Sequence, residues 1–485
     1  MVAGPGVAAR GDAWPMVPAP DLLHTRPVAA WSVQGTILSK LPTLDLVEVI
    51  EQSPLGFRRL VIFFLIFLFI TIEGFDTAAI GFLVPSMVKA FQLSSTEVSG
   101  LFAAGMGGLL LSSFVGGMLC DVYGRKRVSV ISVLIFGGAC IGVALSKGYT
   151  ELMLWRFATG AGIGAALPAL STLCAELTPA RSRSTILAIV FSGFLTGSVL
   201  AGLITGAYLH QVGWEGIMLI GGVVPIAMIV LLAAWMPESP RYMALRPQRV
   251  AGVPAAMDRL FPGREFRQTA FVSHENPQAS PKARMAELFR GRFAALTLAL
   301  WGMNFTVLLS FYTIASWLPS LLHLGGIDPA QASKLASSFQ IGALIGSVST
   351  ALALRRLRPG VWLGSVFVLG GLSTWLLTAA VGTPWFVPVT LLSGFCVAGP
   401  VVGLQAVAAS VYPTYMRGAG VGWAATLSRV GSLTGASMVG VMISGGLAMP
   451  EIFRLMLVPM LLAAACAWFL QRGMSGPVNM GSGGH

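Results

Sequence analysis

The chain has 485 residues, of which 55% are hydrophobic and only 10% charged, with a net charge of +12. Its mean hydropathy is +0.78. A soluble chain carries nearer a quarter charged residues, so a string of soluble domains is excluded and one polytopic membrane domain is indicated. Cys120, Cys140, Cys174, Cys396 and Cys466 lie in or beside apolar segments without paired spacing. That pattern excludes a disulfide framework or zinc site and reads them as small packing residues.

In chain order, Met1–Ala30 is rich in Pro, Ala and Gly and is expected to be disordered; it lacks the apolar core and cleavage site of a secretory signal. "TLDLVEVIEQSPLGFRR" (Thr43–Arg59) has amphipathic periodicity and is expected to lie as a short helix on the inner membrane surface. About twelve apolar segments follow, each near the ~20 residues that span a bilayer. The first six are Leu60–Phe82, Val98–Leu119, Val128–Ser146, Leu152–Cys174, Thr185–Leu209 and Gly216–Trp235. The second six are Phe293–Leu322, Ala330–Leu354, Trp362–Ala380, Phe386–Ala409, Val421–Ser444 and Ile452–Leu470. Arg58, Arg59, Arg125, Lys126, Arg127, Arg181, Arg183, Arg355, Arg356, Arg358, Arg417 and Arg472 fall on one side of these spans. Only Lys89, Lys147, Lys334 and Arg454 mark the other. The positive-inside rule makes the basic side cytoplasmic, with both termini and the central loop. The positive charge is thus a topology signal and not a nucleic-acid footprint.

The first span, "ITIEGFDTAAIGFLVPSM", carries Glu73 and Asp76. An acid at the centre of a membrane helix costs ~2.5–3.5 kcal/mol on insertion scales, so it is retained for a purpose. Three residues apart, the two share roughly one helix face and suit proton carriage. Asp76 lies ~9 Å and Arg156 ~8 Å from the outer ends of their helices, so the two can pair. Such a pair serves either structure or proton coupling. Gly160 and Gly164 form a small-xxx-small packing face. Arg429 lies ~16 Å into the eleventh span, near the midplane. Its planar fork suits a substrate carboxylate, or alternatively an interhelical lock. Asn304, Phe305, Phe311 and Tyr312 suit an aromatic ring with hydroxyl substituents, although rings at helical spacing equally suit packing. Gln405 is a candidate polar contact, and Trp317 is expected to anchor at the outer interface.

"GGMLCDVYGRKRV" (Gly116–Val128) joins spans two and three, with Gly117 and Gly124 permitting close approach and Asp121 opposite Arg125, Lys126 and Arg127. "ELTPARSRSTILAI" (Glu176–Ile189) and "VYPTYMRGAGVGWA" (Val411–Ala424) repeat a Pro–Arg helix junction after spans four and ten. The repeat points to two homologous halves with a site between them. It also groups Glu176, Arg181 and Arg417 with the basic loop as candidate gate residues.

This loop resembles the signature of the major facilitator superfamily, and "RFATGAGIGAALP" (Arg156–Pro168) resembles that superfamily's fourth-helix pattern. "EGFDTAAIGF", "SFYTIASWLPSLL" (Ser310–Leu322) and "YPTYMRGAGVGWAATLSRVGSL" (Tyr412–Leu433) resemble the aromatic acid:proton symporter family, whose members usually carry Asp where this chain has Glu73. The resemblance runs from Leu60 to Leu470. It implies an all-α membrane fold of twelve transmembrane helices in two pseudo-symmetric six-helix halves, 57–236 and 293–471. Residues 1–56 and 472–485 would be cytoplasmic tails and 237–292 a cytoplasmic loop. The implied activity is import of an aromatic carboxylate by proton symport with alternating access, with both acids required. It further implies a monomer in the bacterial inner membrane, with no cofactor and the proton gradient as energy source. Asp121, Arg125 and Arg127 would form a gate-stabilising cluster, the alternative being a loop that only sets topology. "GSVSTALALRRLRP" (Gly346–Pro359), its counterpart in the second half, lacks the acid. "PESPRYM" (Pro237–Met243) resembles a segment of metabolite and sugar porters.

Other cargoes fit less well. Sugar carriers need more buried Gln and Asn than these spans hold, and drug antiporters usually carry a glycine–proline pair that "FSGFLTGSVLAGLITG" (Phe191–Gly206) lacks. Another organic acid or a polyol stays open as cargo. A membrane sensor would need a larger output domain than the central loop provides. His210, His274 and His323 show no ligand spacing, and no phosphate-binding loop or nucleophile constellation points to an enzyme.

Overall fold

The computed structural model describes residues 43–246, 248–262, 266, 270–272, 288–412 and 414–474. The expected disorder of Met1–Ala30, the glycine-rich tail and His274 lie outside the described residues, as do the side chains of Gln405 and Arg417.

A short strand β1 (Thr43–Asp45) leads into α1 (Leu46–Gln52), and the spans begin with α2 (Phe57–Phe91), α3 (Ser95–Tyr123), α4 (Arg125–Ala144) and α5 (Tyr149–Glu176). Spans five and six are the two helical stretches of α6 (Ala180–Trp235), interrupted at Gly213, where φ is 67° and ψ 177°. Only glycine adopts that backbone without strain, so Gly213 breaks the helix and makes the turn between the two spans. The central segment contributes α7 (Pro240–Ala244), α8 (Val253–Leu260) and β2 (Ala270–Val272). Then come α9 (Arg292–Leu324), α10 (Pro329–Ala353) and α11 (Pro359–Ala380). Span ten is split into α12 (Phe386–Val397) and α13 (Val401–Val411), because Pro400 cannot continue the hydrogen-bond ladder. Span eleven is α14 (Thr414–Ser444), and span twelve comprises α15 (Met449–Leu455) and α16 (Leu457–Met474).

Packing repeats between the halves. Span one lies on span five (α2 on α6) as span seven lies on span eleven (α9 on α14), and span two on span four (α3 on α5) as span eight on span ten (α10 on α12). The glycine stripe of α5 explains one such pair. A Cβ on Gly160 would stand 1.9 Å from the Gly105 carbonyl oxygen, and one on Gly164 2.2 Å from that of Leu109. Backbones that close exclude any side chain at these positions. The halves meet through α3 with α14, α6 with α10, and α2 with α9.

Two expectations are corrected here. The amphipathic helix is α1, but its apolar residues Leu46, Val49 and Ile50 are buried in one protein cluster with Val253, Met257, Leu260 and Phe261 instead of facing lipid. Its leading strand pairs in parallel with the central segment, Thr43 opposite Ala270 and Asp45 opposite Val272. Trp317 is no interface anchor: it is 2% exposed, and its ring nitrogen donates to the Ala436 carbonyl at 2.8 Å. The indole sits 5.7 Å from the Phe102 ring of the opposite half, a burial available because its N–H is satisfied.

Candidate functional site

Close packing of α2 on α6 sets where its acids point. A Cβ on Gly74 would stand 2.0 Å from the Phe194 carbonyl oxygen, and one on Gly197 1.7 Å from that of Thr71. With Gly74 against α6, the neighbouring acids point elsewhere, and residues three apart diverge by about 60° around the axis. That divergence decides their surroundings, and the shared face expected from spacing is divided between two environments. Asp76, 1% exposed, enters the interior of the first half. There Arg156 Nη1 donates to both of its oxygens, at 3.0 and 3.2 Å, and the Cys140 thiol donates to Oδ1 at 3.3 Å. Cys140 is therefore more than a packing residue.

Glu73 faces the second half. It is buried, yet it forms no hydrogen bond or ion pair among the described residues. Arg429 and Tyr312 lie within its electrostatic reach across the interface. Arg429 is the middle residue of the 31-residue α14, half-buried and likewise without an ion pair among the described residues. A carboxyl group and a guanidinium thus come from the two halves within electrostatic reach of one another, unbonded among the described residues. Tyr312 meets Phe311 edge-on at 4.8 Å, and Phe311 stacks on Phe339 at 6.1 Å. Asn304 is wholly buried. Its amide donates to the Leu300 carbonyl at 2.8 Å and accepts from Ser428 at 2.9 Å, so it ties α9 to α14 beside Arg429. Phe305 is half-buried, and its carbonyl is packed by Gly431.

At the basic end the loop residues form a cluster between the first half and the start of the central segment. Arg125 lies 3.5 Å from Asp121 and 3.4 Å from Glu176. Glu238 caps α4, accepting from the amides of Arg125 at 2.7 Å and Lys126 at 3.2 Å. The fit needs Gly124: its φ is 103°, and a Cβ there would stand 2.2 Å from Glu238 Oε2. Ser239 donates to Glu176 at 2.5 Å. Tyr242 donates to the Val122 carbonyl at 2.8 Å and lies under the guanidinium groups of Arg125, Arg246 and Arg249. Arg127 and Arg181 are exposed and form no ion pair among the described residues. Arg183 instead reaches Glu51 of α1, at 3.5 Å. Gly117 faces open space, whereas Gly116 packs on Ala165.

The opposite, far end is where the halves close. The Ser333 hydroxyl donates to the Phe82 carbonyl at 3.3 Å, and the Gly440 amide donates to Ser99 at 2.9 Å. His210 on α6 meets Asp328, the N-cap of α10, at 3.0 Å. Burial would raise the Asp328 carboxyl, but the His210 ring and the Gln331 and Ala330 amides outweigh it and hold the group below its usual value. Its share of the closure therefore persists above the ordinary aspartate range and is lost only as pH falls through the lowered value. Among the described residues this is the one acid–base side-chain contact that joins the halves, and it lines a surface cleft with Lys89, Trp214 and His323. Exposed pairs contribute at most ~1 kcal/mol, so His210→Ala is expected to raise far-side thiol labelling of a cysteine at the buried Ser337 position by no more than about fivefold. Unchanged labelling would show that the pair does not hold this end.

Glu238, Ser239, Tyr242, His210, Asp328 and the buried Arg59 were not legible as site residues. Arg59 is fully buried. Its guanidinium donates to the carbonyls of Leu177, Ser53 and Pro54, and it lies 4.8 Å from the Phe261 ring centre. The one available signal was an acid in "PESPRYM" close in sequence to a basic membrane boundary.

The sequence pattern of the Major Facilitator Superfamily matches residues 66–436. The gallate transporter of Pseudomonas putida is 34% identical over 422 residues, 87% of this chain and 94% of that protein. The 4-hydroxybenzoate transporter PcaK of Pseudomonas aeruginosa is 30% identical over 429 residues, 88% of this chain and 96% of its own length. Among solved structures, the inward-open xylose transporter XylE from E. coli superposes with a TM-score of 0.67 at 16% identity, covering 84% of this chain and 95% of that one. At that identity the likeness speaks for the fold alone.

Proposed function

Since the chain belongs to the Major Facilitator Superfamily, we propose that it is a secondary transporter that imports an aromatic carboxylate with a proton by alternating access. The observation that carries this reading is the buried Glu73 carboxyl on one half within electrostatic reach of the Arg429 guanidinium on the other, neither in an ion pair among the described residues. A carboxylate cargo takes the guanidinium of Arg429, beside the rings of Tyr312 and Phe311. Glu73 takes the proton, because it alone of the two span-one acids is free of a fixed cation. Asp76 with Arg156 serves as the rigid wall behind it. The gallate and 4-hydroxybenzoate relatives support the substrate class.

Energetics favour coupling. An inside-negative potential opposes entry of a monovalent anion by ~2.3 kcal/mol per 100 mV, and one accompanying proton removes that penalty. The basic end is cytoplasmic in this reading, so closure at the far end leaves the site open inward. The bodies that rock are 57–236 and 293–471, within a single chain in the bacterial inner membrane and without a cofactor. The basic cluster around Glu238 stiffens the first half at the cytoplasmic face.

Labelled gallate or 4-hydroxybenzoate is expected to accumulate in proteoliposomes holding the full chain when the outside is acid. Collapse of the proton gradient should abolish accumulation. Uptake unaltered by that collapse would refute coupling, and absence of uptake for every aromatic acid would refute the substrate class.

A further inference from the structure

Gln340 on α10 is 2% exposed, and its side-chain carbonyl oxygen has no hydrogen-bond partner among the described residues. A buried amide left unpaired is unfavourable, and it calls for a donor that the described residues do not supply. Its place in the fold says where that donor comes from. Ser333 bonds to Phe82 of the first half, and Ser337 packs on Gly202 of α6. Gln340 follows these by seven and three residues, so it continues the same interface-facing stripe one turn deeper.

Depth can be measured from these contacts. From the level of Ser333 and Phe82, Gln340 lies ~10 Å toward the basic end, Asp76 ~9 Å and Glu73 ~13 Å. Tyr312 lies ~6 Å below the level at which Ser316 backs on Gly81. Gln340 therefore shares the level of the acids and the tyrosine, and its neighbour Phe339 stacks on Phe311. An amide beside stacked rings, at the depth of the acids and the tyrosine, matches a hydroxyl carried on an aromatic ring.

We propose that Gln340 is the specificity-determining residue that receives a ring hydroxyl of the cargo, so that hydroxylated aromatic acids are taken in preference to benzoate. The inference rests on the reading of the site as an aromatic-carboxylate site. An amide presents either its oxygen or, by rotation, its N–H, so the hydroxyl is matched as donor or as acceptor.

The test measures binding of 4-hydroxybenzoate, gallate and benzoate to the purified full chain, with Gln340→Met as a near-isosteric variant and Gln340→Asn as a milder one that keeps an amide. The unaltered protein is expected to favour 4-hydroxybenzoate over benzoate. Gln340→Met should weaken 4-hydroxybenzoate binding about tenfold or more while benzoate changes by less than about twofold. Should the Met variant fail to fold, Gln340→Asn is expected to show the same selective loss in smaller measure. Equal losses for all three acids, or no loss for any, would overturn the assignment of Gln340 alone. Failure of the unaltered protein to bind any of the acids would instead overturn the reading of the site itself.

Discussion

Asp76→Asn is expected to insert normally, to lose thermal stability and to abolish concentrative uptake. The reason is the environment of Arg156, whose guanidinium sits 3.0 Å from Asp76 Oδ2 with its side chain 7% exposed. Removing the acid leaves a buried cation with no counter-charge, a change that typically costs ~3–5 kcal/mol. Neutralising both partners, Asp76→Asn with Arg156→Gln, should restore most of the melting temperature, because no lone charge remains inside. Uptake distinguishes a structural wall from a moving part. If the pair is only a wall, the double variant regains accumulation along with stability. If Asp76 exchanges protons, stability returns and accumulation does not. The contrasting variant is Glu73→Gln, which breaks no ion pair among the described residues. It is expected to leave stability nearly unchanged while uptake loses its dependence on the proton gradient. Retention of gradient-driven accumulation by Glu73→Gln would remove Glu73 from the coupling role.

Arg429→Ala is expected to weaken binding of aromatic carboxylates roughly ten- to a hundredfold, as follows from losing a charge-assisted hydrogen bond worth about 1.5–3 kcal/mol. The side chain forms no ion pair among the described residues, so truncation should cost little stability. Arg429→Lys should rescue binding only in part, since an ammonium cannot grip both carboxylate oxygens with a planar fork. Affinity measured by isothermal titration against benzoate separates this role from an interhelical lock. A lock would lower the melting temperature and leave the affinity of the folded fraction intact.

The sequence carried the membrane architecture in plain view, because hydropathy and the side on which basic residues fall are local properties of a chain in a bilayer. Each helix satisfies its own backbone there, so span number survives almost any packing arrangement. Axial depth is also local, since it follows from counting residues along a helix of fixed rise. That is why Asp76 and Arg156 could be matched across two spans before any contact was known. Azimuth around the helix was legible only coarsely. A three-residue spacing puts Glu73 and Asp76 near one another, but which acid faces its own half and which faces the other depends on where Gly74 and Gly197 let two backbones touch.

What only the tertiary structure decided are the partnerships between segments distant in sequence. Glu238 finds Gly124, His210 finds Asp328, strand Thr43–Asp45 finds Ala270–Val272, and Trp317 turns inward to a carbonyl. None has a periodicity to announce it, because each is set by how finished helices stack and not by the propensities of the residues involved. The acids at the middle of the first span were visible as an anomaly. Their separation into one bound to a fixed cation and one without an ion pair among the described residues is a property of packing alone.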